Sequence, residues 1–176
     1  AMTGPGDSKA KSPYSAKMPQ DVTQGIKVSD NTHKVSVTKR PQFAAMDGRI
    51  AGGRVLYPLK DKPGVLALTP KSNGVKEDIV LEHAVGDRVQ FDYELDVPEA
   101  LEARLLADGS VVLYSGDPAL YGNITFSTDE DRRRVESARK KADKTYKMFE
   151  IPAPVVAQSK GGSDTVKSRF ELDGRK

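Results

Sequence analysis

The chain predicts a mainly β fold: an antiparallel β-sandwich of about eight to ten short strands, with one charged α-helix inserted at about 128–147. Three stretches carry that expectation. Val89 to Val97 alternates without a break, Phe91, Tyr93, Leu95 and Val97 on one face and Gln90, Asp92, Glu94 and Asp96 on the other, the period-two pattern of a strand with one dry and one wet side. Asp108-Gly109 lies between two apolar runs and suits a two-residue hairpin, pairing Leu106 with Val111 and Leu105 with Val112. Ser127-Thr128-Asp129-Glu130 reads as a capping box opening a helix, the one segment that departs from the β pattern.

The other elements follow in order. Residues 1–30 hold Gly4-Pro5-Gly6, Ser12-Pro13, Pro19 and scattered lysines, which reads as a flexible arm closing on the domain at Ile26 and Val28. Lys34 to Thr38 alternates as a strand. Ile50 leads through Gly52-Gly53 into Val55-Leu56-Tyr57, which Pro58 limits to an edge or a strand end. Val65-Leu66-Ala67-Leu68 lies between Pro63-Gly64 and Pro70 as a further strand. Asn73-Gly74 is a turn dipeptide that opens the strand Val75 to His83. In the helix, acids lead and lysines trail, as the dipole prefers. Asp129–Arg133, Glu130–Arg134 and Glu136–Lys140 are favourable i,i+4 pairs. Val135, Ala138, Ala142, Tyr146 and Phe149 form its thin apolar stripe. Ile151 to Val156 is held extended by Pro152 and Pro154, and Val166, Phe170 and Leu172 alternate as a closing strand. Residues 31–176 thus read as a single β-rich domain. With Ala1-Met2 as a cloning remnant, the chain reads as an excised piece of a longer protein.

Composition narrows the chemistry. At 176 residues, with 37% hydrophobic and 30% charged and a mean hydropathy of −0.54, part of the chain is expected not to pack. The absence of cysteine excludes disulfide scaffolds, Cys-ligated zinc and thiol nucleophiles. No apolar run approaches the ~18 residues of a membrane span. Eight basic and five acidic residues fall between Asp129 and Lys147, which accounts for the whole net charge of +3. There is then no chain-wide basic field for a phosphate backbone, and nucleic acid is not an expected partner.

No motif resolves into an active site. In Lys76-Glu77-Asp78 a strand would point Glu77 away from both neighbours, so a solvated edge strand or a structural salt bridge is expected rather than an acid–base cluster. His33 and His83 lie fifty positions apart, in no metal-binding spacing, and His83 is expected near the core margin beside Ile79 and Leu81. Asp129-Glu130-Asp131 lacks the alternation and glycine of a calcium loop. Gly52-Gly53 and Gly161-Gly162-Ser163 do not form a phosphate fingerprint. Arg132-Arg133-Arg134 and Lys140-Lys141 read as a solvated helix face interleaved with acids. No catalytic, cofactor-binding or metal-binding residue is therefore assigned, and no cofactor is expected.

Taken in order, Gly74 to Leu81 (GVKEDIVL), Val89 to Leu95, Asp108 to Tyr114 and Phe149-Glu150-Ile151-Pro152-Ala153-Pro154 resemble a segment of large bacterial secreted and surface proteins of the Rhs/YD-repeat, WapA-like and DNRLRE-associated type. Gly53 to Tyr57 fits the strand before that segment, and Val166 to Leu172 the strand that closes it. The stretch from Tyr121 to Lys147 departs from it as an insertion. The resemblance implies a non-catalytic structural or adhesion-type module, secreted or at the bacterial cell surface. Its partners would be neighbouring domains of the same large protein, and a surface protein or glycan. Two rivals stand beside this reading. One is a carbohydrate-binding or glycan-active sandwich using Tyr93 or Tyr114; the other is a polyanion-binding domain using Arg133, Lys140 and Lys144.

Overall fold

The structure, a computed structural model, describes residues 12–115, 128–141, 146–158 and 167–174. The chain divides at Asp96 into two compact units, Ala1–Asp96 and Val97–Lys176, where a single domain over 31–176 was expected. Eleven strands are described: β1 (Tyr14–Lys17), β2 (Ile26–Asp30), β3 (Val35–Pro41), β4 (Arg49–Ala51), β5 (Arg54–Pro58), β6 (Gly64–Lys71), β7 (Gly74–Leu81), β8 (Tyr93–Asp96), β9 (Leu101–Leu105), β10 (Val111–Ser115) and β11 (Tyr146–Ile151). The described helix, α1, spans Asp129–Lys141. Among the described residues all strand pairs are antiparallel and one helix interrupts them, so the mainly β architecture with an inserted helix is as the sequence predicts.

In the first unit, two four-stranded sheets run β1-β2-β3-β8 and β4-β5-β6-β7. Val22 and Ile26 from one side meet Tyr57, Leu66 and Leu68 from the other in a shared core, flanked by Met18, Phe43, Val55, Val75 and Ile79. Tyr57 is fully buried, and its hydroxyl donates to the Pro19 carbonyl at 2.6 Å. Burying this ring therefore leaves no polar atom unpaired. The expected arm is thus corrected from Tyr14 onward: β1, a 3-10 turn at Val22–Gln24 and β2 complete the first sheet. Residues 1–11 lie outside the described part of the chain.

In the second unit, β11-β10-β9 form a three-stranded sheet with Val111, Val112, Leu113 and Met148 buried. Its hairpin corrects the expected register by one residue, since Val111 pairs with Leu105 and Val112 with Arg104. The cause is a three-residue loop. The Gly109 amide donates to the Leu106 carbonyl, the Leu106 amide donates to Ser110, and Gly109 takes φ 84°. That is a type I turn followed by a left-handed bulge residue. Asp108 stabilises it by accepting from the Ser110 amide and hydroxyl.

Other boundaries moved for similar reasons. Lys71 pairs with Gly74, so Ser72-Asn73 is the turn and Gly74 already belongs to β7. The strand expected over 89–97 is regular only from Tyr93 to Asp96, with Val89 exposed. The described helix runs to Lys141, and Tyr146 to Ile151, expected partly as helix, is a strand, because Ile151, Glu150 and Phe149 find partners in Val111, Val112 and Leu113. The cap is Thr128, one residue later than expected: its hydroxyl accepts from the Asp131 amide and donates to the Asp131 carboxylate. Arg134 pairs with Asp131. Residues 167–173 form no strand, although Phe170 is half-buried. Val166 lies outside the described residues.

Candidate functional site

A largely buried ionic group sits between the two sheets of the first unit. On β3, the side chains at Val35, Val37, Lys39 and Pro41 share one face, and Lys39 stands opposite Ile26 of the core and Leu95. On β7, Val75, Glu77 and Ile79 share the inward face. The inner faces of β3 and β7 therefore each carry one charge among apolar neighbours, and the two meet. Lys39 Nζ lies 2.8 Å from Glu77 Oε2, with both side chains only about a fifth exposed (22% and 20%). The other carboxylate oxygen, Oε1, accepts from the Tyr93 hydroxyl at 2.7 Å. Lys39 Nζ also sits 4.1 Å from the centre of the Tyr93 ring, a cation–π contact that shields the ammonium from water.

Aromatic edges brace the group. The Phe43 ring meets Phe91 and Tyr93 edge-on, each at 5.3 Å between centroids, and Lys62 lies over Phe91 at 5.5 Å. Burial, the Glu77 charge and the hydrogen bond to it all push the Tyr93 phenol far above its ordinary range. It remains a proton donor at every physiological pH. Both oxygens of Glu77 are committed, so the cluster works as a clasp between sheets.

The neighbours of Glu77 behave as strand geometry requires. Lys76 and Asp78 face the opposite side and pair with each other at 2.9 Å. Arg40, on the outer face of β3, reaches Glu94 and Asp96 of β8 at 3.4 Å each. The histidines do not converge. His83 is exposed past the end of β7 rather than near the core margin, because the strand ends at Leu81. His33 lies in the β2–β3 loop with Nδ1 2.7 Å from Oδ2 of the buried Asp30, so Nδ1 carries the proton. Asp30 also accepts from the Thr32 and His33 amides. Burial raises the Asp30 pKa, but these hydrogen bonds outweigh it and hold the carboxyl below its ordinary value.

The rival readings rest largely on other residues. Tyr93 is engaged as described. Tyr114 is half-buried beneath the Arg104 guanidinium, at 5.2 Å. Arg133 is exposed, while Lys144 and Gly161-Gly162-Ser163 lie outside the described residues. Among the described residues no three His, Cys, Asp or Glu side chains form a metal-binding group, and no helix is long and apolar enough to cross a membrane. Sequence reasoning missed Lys39 and Asp30. The available signal was a charge at the next same-face position after Val35 and Val37, a place where an alternating strand should stay dry.

No protein-family model, curated protein or solved structure matches this chain. The geometry defines a β-rich module with its protected charges turned inward.

Proposed function

We propose that this chain is a non-catalytic structural or adhesion-type module of a large bacterial secreted or cell-surface protein, of the Rhs/YD-repeat, WapA-like and DNRLRE-associated type, which contacts neighbouring domains of that protein. The observation that carries the reading is the Lys39–Glu77–Tyr93 group. A largely buried acid, base and phenol satisfy one another between two sheets, and that arrangement favours rigidity over reaction. The resemblance in Gly74 to Leu81 and in Phe149 to Pro154 supports the bacterial surface setting.

Protease treatment of intact bacteria that make the parent protein tests the proposal. Peptides of this chain should be released before lysis. Peptides recovered only after lysis, with the chain in the cytosolic fraction, would refute the placement. A glycan-array signal lost on changing Tyr93 or Tyr114 would shift the function to carbohydrate binding.

A further inference from the structure

The sheet β4-β5-β6-β7 has an apolar inner face and, on its outer face, an apolar patch over β5, β6 and the end of β7. Its inner face holds Tyr57, Leu66 and Leu68. By register, Leu56, Ala67 and Asp78 form one row of the outer face with Arg49, while Pro58, Val65 and Val80 form the next. Leu56, Pro58, Val65 and Val80 line a shallow depression of about 570 Å³ that also takes in Arg49 and Glu82. Val80 stays 53% exposed and the rim residue Ile50 86% exposed. A solvated outer face would have alternated to polar throughout, and at Leu56, Pro58, Val65, Ala67 and Val80 it does not.

The charges around the depression lie on a diagonal. Arg49 and Arg54 are on the β4–β5 side, while Glu82 stands just past β7 at the far corner. Neither Arg49 nor Glu82 has an ion-pair partner among the described residues. Lys76 and Asp78 neutralise each other locally. A partner must therefore bring an apolar middle with a basic corner and an acidic corner on the opposite diagonal. This same face, turned about a twofold axis, does so.

We infer that the outer face of the β4–β7 sheet is a self-association surface for a second copy of this chain, with Arg49 of each copy against Glu82 of the other. The axis runs between Pro58 and Val65 and brings Leu56 over the second copy's Val80. Strands of the two copies then cross near a right angle, one of the two preferred ways in which sheets pack. An isologous interface uses each such pair twice. Strands about 4.8 Å apart and residue rows about 7 Å apart give a footprint on the order of 400 Å². That is half of the roughly 800 Å² per partner found in a standard interface, so the dimer is weak and forms at about 100 µM.

Sedimentation equilibrium of the full chain from about 5 to about 500 µM tests this. The average mass should rise toward that of a dimer. Arg49→Glu or Glu82→Arg alone should weaken association about tenfold, and the double swap should restore it to within about threefold. Val80→Glu, at an exposed position that leaves the core untouched, should weaken it as well. A monomer throughout the range would overturn the inference. So would association indifferent to all three single changes, or a double swap no better than either single reversal.

Discussion

Replacing Glu77 by alanine should destabilise the first unit by about 3 kcal/mol. An exposed ion pair contributes about 1 kcal/mol or less, whereas breaking a buried one costs about 3–5 kcal/mol because the surviving charge is stranded. Lys39 and Glu77 are about one-fifth exposed, which places the ionic part of the loss near 2 kcal/mol. The Tyr93 hydroxyl, 2.7 Å from Glu77, also loses its acceptor, which adds about 1 kcal/mol. The double change Lys39→Met with Glu77→Leu removes both charges and fills the space, and should return to within about 1 kcal/mol of the natural chain. Urea unfolding followed by far-ultraviolet circular dichroism, run on both single variants and the double, gives the coupling energy, expected near 2 kcal/mol. A Glu77→Ala loss below about 0.5 kcal/mol, or a coupling near zero, would refute the clasp and make the pair an ordinary surface contact.

Two further perturbations test other parts of the same unit. Asp30 is held below its ordinary pKa by hydrogen bonds from His33 and Thr32, so its contribution is complete above the unfolded carboxyl value and is lost as pH falls through the folded one. Asp30→Asn should cost about 2 kcal/mol near neutrality and flatten the fall in stability below about pH 4; urea melts across that window would show an unchanged slope if the carboxylate were idle. Gly25 takes φ 102°, and a Cβ there would press on Thr38 Cγ2 and lie 2.9 Å from Arg40 Cγ. Gly25→Ala should therefore cost about 2–4 kcal/mol; thermal melting within a degree or two of the natural chain would contradict that (about 0.5 kcal/mol).

Local chemistry was legible wherever one short-range rule decided the outcome. The Phe91 to Asp96 alternation, the opposed faces of Lys76-Glu77-Asp78 and the capped acidic start of the helix all depend on neighbours within four residues. The misses depend on distant partners. Tyr14 to Asp30 looks like a linker because its apolar residues are sparse, yet Val22 and Ile26 find Tyr57 and Leu66 across the core. Tyr146 and Phe149 fit a helical stripe equally well until β10 offers them a ladder. The Asp108-Gly109 hairpin slipped by one because Gly109 closes a bulged three-residue loop rather than serving in a two-residue turn. The Lys39–Glu77 pair joins positions far apart in sequence, and no spacing rule spans such a gap.

Opposed inner-face charges also select one packing of the sheets. Sliding β3 by two residues against β7 would keep the dry faces inward but set Val37 or Pro41 against Glu77. The carboxylate would then be half-buried with no cation, and Lys39 would be stranded. For apolar pairs alone such a slip costs little, because alternation repeats every second residue; the ionic clasp makes the registers unequal by the same few kcal/mol that Glu77→Ala removes. The outer face of β6 obeys a complementary logic. Val65-Leu66-Ala67-Leu68 has no wet position, the pattern of a strand covered on both sides. Leu66 and Leu68 find their cover within the first unit, whereas Val65, together with Leu56 and Val80, lines the open depression. A strand that is apolar on both faces needs a layer on each, and the diagonal of Arg49 and Glu82 selects a second copy as the layer that fits.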